Sequence, residues 1–153
     1  LRPIDHDFLF LLYDLAQTMR TFADQRARMS GMTRAQWAIL ARLERQPGLS
    51  QSEMAALADV EPITVGRLVD RLEAQGLVER RPDPVDRRIW RLHLTALAKP
   101  ALREIAAFRE EFHRRLTKGM DAATLDVITK GLLQMRANLT LAAPPEENQS
   151  EAS

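Results

Sequence analysis

Apolar positions along this 153-residue chain recur mostly at helical spacing. Phe8, Leu11, Leu12, Leu15, Met19 and Phe22 mark one face of a first helix that should end near Ser30-Gly31. Thr33-x-x-Gln36 is a capping box, with Met32 and Trp37 at hydrophobic-staple spacing. The helix it opens runs through Ile39, Leu40 and Leu43 to a stop at Pro47-Gly48. Ser50-x-x-Glu53 opens a short third helix through Met54, Leu57 and Ala58. A fourth fits between Pro62, suited to a first turn, and Gly76, suited to a C-terminal stop, with Val65, Leu68, Val69 and Leu72 as its buried stripe.

Only residues 77–94 switch period. Leu77–Arg81 and Ile89–Leu94 alternate apolar and polar around a turn holding Pro and Asp, which predicts a β-hairpin. Thr95 is placed to cap a long fifth helix carrying Ile105, Phe108, Phe112 and Leu116. Pro100 should kink that helix or delay its start. Gly119 and Asp121 precede a last helix with Leu125, Ile128, Leu132 and Leu139, and the acidic tail from Pro144 reads as disordered.

The expected fold is mainly α with a small β-hairpin wing, a winged helix-turn-helix between N- and C-terminal dimerisation helices. The divisions expected are 1–31 for the first dimerisation helix, 32–95 for the winged lobe, 96–142 for the closing helices and 143–153 for the tail.

Composition narrows the function classes. Cysteine is absent, which removes thiol catalysis, disulfides and thiolate metal sites. Apolar residues make up 45% and charged residues 28%, a globular balance without a membrane-length apolar run. No signal-type leader is visible, so the expected location is cytoplasmic; a first residue other than methionine suggests that leading residues are missing. With 22 basic and 21 acidic side chains, any contact with nucleic acid must come from a local patch.

Two places offer one. On the fourth helix, the face opposite the apolar stripe carries Ile63, Arg67 and Asp70, flanked by Thr64 and Arg71. Arg67 suits a bidentate contact to guanine, Arg71 a phosphate and Ile63 a thymine methyl, while Gly66 leaves room for close backbone approach. The alternative is a solvated face whose arginines pair Asp70 and nearby acids. The hairpin carries Arg80, Arg81, Arg87, Arg88 and Arg91 against only Asp83 and Asp86. Folding explains such a density poorly, although surface solubility would also use arginines there. Arg88 suits a narrow minor groove, with Asp86 fixing its direction and Arg87 beside it.

Asp86-Arg87-Arg88-Ile89-Trp90-Arg91-Leu92-His93-Leu94-Thr95 resembles the D-x-R-x-x-x-x-x-L-T wing motif of the MarR family of bacterial transcriptional regulators. The preceding VGRLVDRLEAQGLVERR is similar to that family's recognition helix and first wing strand, and the helix order agrees from about Asp7 to Leu139. Pro100 departs from the family pattern at the start of the fifth helix. The resemblance implies a homodimeric repressor or activator of an inverted-repeat DNA operator, with Arg88 entering the minor groove and Asp86 orienting it. It also implies a small aromatic or lipophilic effector, by preference an aromatic acid or its acyl thioester.

Tyr13, Arg20 and Trp37 offer two rings and a guanidinium for such an effector. Trp37 is equally explained as the staple partner of Met32, and Tyr13 as a helix-packing residue. His6, His93 and His113 have no zinc spacing, and no catalytic grouping or phosphate loop is found, so neither a cofactor nor an enzyme is expected. A winged-helix module for protein contacts, its wing arginines meeting an acidic partner, is the competing function.

Overall fold

The computed structural model describes residues 7–58 and 60–141, leaving His6 and the tail outside the described residues. Within them the order is α1 (Phe8–Met29), α2 (Arg34–Arg45), α3 (Gln51–Ala58), α4 (Pro62–Ala74), β1 (Val78–Pro82), β2 (Trp90–Leu94), α5 (Lys99–Leu116) and α6 (Ala122–Leu141). The described chain divides into two compact units after Glu110.

Local chemistry sets the helix ends. Both capping boxes close: Thr33 Oγ1 accepts from Gln36 N at 3.2 Å while Thr33 N donates to Gln36 Oε1 at 2.8 Å. Ser50 and Glu53 make the same exchange at 3.1 and 2.8 Å. After α4 the chain turns at Gly76, whose φ of 72° disfavours other residues. Gly76 N donates to Glu73 O and Leu77 N to Leu72 O, each at 2.9 Å, the paired bonds of a Schellman stop.

The core of the first unit lies where α2, α3, α4 and the hairpin meet. Leu40, Leu43, Met54, Val65, Val69, Leu72, Val78 and Leu92 are all fully buried there. Burying such side chains contributes ~1.5–3 kcal/mol each, so this cluster holds α4 on its neighbours. Trp37 packs on Phe108 with ring centroids 5.4 Å apart, and Phe22 stacks on the same ring at 6.0 Å. Beside them Glu104 Oε1 accepts from Arg26 Nη1 and Ser30 Oγ, both at 2.6 Å, tying the end of α1 to α5.

The hairpin is antiparallel, with Val78 opposite Leu94 and Pro82 opposite Trp90. A feature absent from the sequence reading extends it. Gly48 N donates to Leu92 O and Leu92 N to Leu49 O, each at 2.9 Å, so the α2–α3 connection pairs with the outer edge of β2. That pairing fastens the wing to the helix-turn-helix through backbone.

One expectation is corrected here, and the delayed start expected from Pro100 is met. Thr95 makes no side-chain cap; its hydroxyl instead donates to Gly76 O, and a 3-10 turn at Ala96–Ala98 precedes α5. The helix therefore starts at Lys99, with Pro100 in its first turn, where a missing N–H costs nothing. The second unit contains the end of α5 and α6. Asp121 caps α6 by accepting from Thr124 N at 2.8 Å, and Val127, Ile128, Leu132, Leu133 and Leu139 are exposed along it.

Candidate nucleic-acid interface

The fourth helix and the wing loop carry the residues expected to read DNA. Ile63, Thr64, Arg67 and Arg71 are all exposed on α4, clear of the Val65–Val69–Leu72 core stripe. Asp70 shares their helix, but it does not neutralise them. It accepts from Arg80 Nη2 at 2.6 Å, and Glu73 Oε2 takes Arg80 Nη1 at 2.5 Å. The acids of α4 thus face a strand arginine, which overturns the alternative of Arg67 or Arg71 pairing Asp70.

Gly66 is also corrected. A Cβ placed on it would stand 2.8 Å from Gln51 Nε2, so it faces α3 and not the exposed surface. Gln51 Nε2 donates to Pro62 O at 2.9 Å, across the turn of the helix-turn-helix. Gly66→Ala should change stability by less than ~1 kcal/mol, because the gain in helix propensity offsets displacement of a flexible glutamine end. It should leave DNA affinity within about twofold, since the added methyl points toward α3. Thermal melts and a binding titration check both, and a tenfold affinity loss would restore the close-approach role.

The hairpin arginines divide into two groups. Arg80 and Arg91 are half-buried ion-pair centres, and Arg81 pairs with Glu79 on its own strand. The expectation that folding explains these five arginines poorly therefore fails for three of them. Arg87 and Arg88 remain, exposed on the loop between the strands.

That loop is built by two aspartates. Asp83 Oδ1 accepts from Val85 N at 2.8 Å and Asp86 N at 2.9 Å, and Asp83 N donates to Ile89 O at 2.8 Å. Asp86 Oδ1 then accepts from Arg88 N and Arg88 Nε, both at 3.0 Å, and Asp86 Oδ2 from Arg88 Nη2 at 2.9 Å. This two-pronged grip fixes the guanidinium plane while leaving the Arg88 side chain 90% exposed. The same grip, through the guanidinium and then the Arg88 N–H, holds the Asp86 carboxyl below its ordinary value.

Asp83 is pulled down further, to about 2, by the Asp86 N–H first, then by Arg91 and the Val85 N–H. A depressed carboxylate stabilises the fold above its unfolded value and loses that contribution as pH falls through the folded one. The wing loop should accordingly persist below pH 3.8, the ordinary value, and loosen near pH 2. In an NMR acid titration the Val85 and Asp86 amide shifts should move with a midpoint near 2; a midpoint at 3.8 would show that Asp83 is not engaged.

The residues expected to hold an effector are not brought together. Tyr13, 78% exposed, and Arg20 lie on the outside of α1, whereas Trp37 is buried against Phe108 with its Nε1–H unpartnered. A cavity of about 330 Å³ lies elsewhere, between α2 and the N-terminal half of α4. Ala38, Ile39, Met54 and Leu68 give it apolar walls, and Arg42 and Thr64 supply polar groups. The signal missed in the sequence was the small-residue face of α2, Ala35 and Ala38, which leaves space beside α4. Among the described residues no cluster of acidic or imidazole groups could hold a metal ion, and no helix is long and apolar enough to cross a membrane.

Three helices followed by a hairpin whose outer edge pairs with the α2–α3 connection define a winged helix-turn-helix protein. Residues 30–89 match the model of the MarR family. A Thauera aromatica protein provisionally named a transcriptional regulatory protein for the hcr operon is 35% identical over 102 residues, covering 64% of this chain. The chain spans 61% of that relative's length. The crystal structure of MarR superposes with a TM-score of 0.76 at 26% identity, over 92% of this chain and 95% of that one. The transcriptional regulator SlyA gives 0.76 at 25%, over 87% and 94%. The MepR–DNA complex of S. aureus, 22% identical over 90% and 99% with a TM-score of 0.77, agrees in fold. Over residues 30–89 the chain is similar to the MarR family, and its fold resembles that of solved MarR and SlyA regulators.

Proposed function

We propose that the protein is a homodimeric transcriptional repressor, not an enzyme, that binds an inverted-repeat DNA operator and is released by a small aromatic acid or its acyl thioester. One observation carries the DNA-binding part: Arg88 is held rigidly by Asp86 yet almost wholly exposed, at the tip of a wing on a MarR-like scaffold. A guanidinium ordered before contact loses little conformational freedom on entering a narrow minor groove. Arg67 reads a base edge, Thr64 and Ile63 adjoin it, and Arg71 and Arg87 meet phosphates.

The homodimer is supported by apolar side chains left exposed in one copy. Phe8, Leu11 and Leu15 on α1, and Ile128, Leu132 and Leu139 on α6, have the character of surface that a second copy covers. Two-fold symmetry then sets the two recognition helices about one DNA turn (~10 bp) apart. The effector part is supported by the cavity beside α4, where Arg42 suits a carboxylate and the apolar walls suit a ring. An occupant there acts only by favouring an α4 arrangement that DNA disfavours.

Sedimentation should give twice the 17.4 kDa chain mass. Mobility shifts against a random-sequence pool should enrich an inverted repeat, whose retention weakens steeply with salt. An aromatic carboxylate that lowers retention should also raise the melting temperature. A monomer that retains no sequence over another would overturn the reading.

A further inference from the structure

Arg91 lies on β2 and joins more parts of the lobe than any other hairpin arginine. Its Nη1 donates to Glu53 Oε2 at 2.8 Å and lies 3.4 Å from Gly48 O, while its Nε donates to Asp83 Oδ2 at 2.7 Å. Each partner has a second task. Glu53 closes the capping box of α3 through Ser50 N. Asp83 nucleates the wing loop through the Val85 and Asp86 amides, and Asp86 aims Arg88. A continuous relay therefore runs from the N-terminus of α3 through Arg91, Asp83 and Asp86 to Arg88.

We propose that Arg91 is a positioning residue: it sets the direction of the wing-tip arginine relative to the helix-turn-helix without touching DNA itself. The proposal rests on the DNA-binding reading above. Its physical ground is that bonds among partly exposed groups contribute little stability. A guanidinium shared by two carboxylates and a carbonyl instead restricts geometry, because its planar fork satisfies all three only in one orientation. The Glu53 side of the relay is anchored on a helix end, so the wing loop takes its position from the same lobe that carries α4.

The measurement is a double-mutant cycle on the full chain, read by fluorescence anisotropy with the duplex that the wild-type protein selects from a random pool. Arg91→Gln should lower affinity roughly fivefold or more with Arg88 present, and less than about twofold in the Arg88→Ala background, a coupling that independent sites do not show. Asp83→Asn cuts the relay one link further on and should give the same pattern. Arg91→Lys keeps the charge but cannot span both carboxylates and the carbonyl, so it should rescue only in part. Melting temperatures should stay within a few degrees for all of these variants. An equal loss in both backgrounds would make Arg91 a direct contact or a general scaffold residue, and no loss in either would remove it; both overturn the proposal. Failure of the wild-type protein to select any duplex would instead overturn the DNA-binding reading, and this proposal with it.

Discussion

Replacing Arg88 by alanine should weaken operator binding by about 1–3 kcal/mol per wing, at least tenfold for a dimer, while leaving the fold intact. The asymmetry follows from where the side chain sits. Among the described residues its side chain bonds to Asp86, and 90% of that side chain already faces water, so removing it creates no cavity. What disappears is a positive charge held in one direction, and a narrow minor groove rewards that charge through its enhanced negative potential. The loss should be largest for operators whose flanks are A·T-rich, because those tracts narrow the groove. Arg88→Lys should recover only part of the affinity, since a lysine cannot take the two-pronged grip of Asp86. Equal losses on A·T-rich and G·C-rich flanks would indicate a plain phosphate contact. Unchanged affinity on both would remove the wing from DNA recognition.

Sequence reading located the wing but misjudged what most of its arginines do, and the reason is physical. Motifs whose partners lie three or four residues apart were legible, because helical geometry alone brings them together. Thr33 with Gln36, Ser50 with Glu53 and the stop at Gly76 are of this kind. Asp86 and Arg88 were legible for the same reason, two residues apart in a tight loop. Arg80 and Arg91 were not. Alternation along a strand says which face a side chain takes, but not that Asp70 and Glu73, or Glu53, wait across it. Gly66 illustrates the converse: its missing side chain suggests room for DNA, whereas the room is filled by Gln51 from the neighbouring helix. The Leu49–Leu92 pairing is pure backbone and left no residue pattern to find. The two arginine clamps tie the wing to α4 and to α3 respectively, so the basic hairpin is largely a joint and only its tip is free.

Leu92→Ala should be the most damaging single substitution in the wing, lowering stability by ~2–5 kcal/mol through lost burial and the cavity left behind. Leu92 is fully buried and lies between two chain segments: it stands opposite Arg80 in the hairpin, and its own N–H and C=O bond to Leu49 and Gly48 along the other edge. The strand is thereby held at fixed distance from the core, so neighbouring atoms cannot move in to fill the space, and the cost belongs in the upper part of that range. For a domain of this size the melting temperature should fall by about 5–15 °C. Affinity for DNA should fall too, but for a different reason than in Arg88→Ala, because Leu92 lies next to Arg91 and opposite Arg80, and loosening it disturbs both clamps. Val85, 93% exposed on the wing loop, is the control: Val85→Ala should stay within ~0.5 kcal/mol of wild type. A Leu92→Ala protein that melts normally but loses DNA affinity would show that the hairpin is not part of the folding core. One that melts early yet, when folded, binds with full affinity would show that the wing is oriented by its arginines and not by its packing.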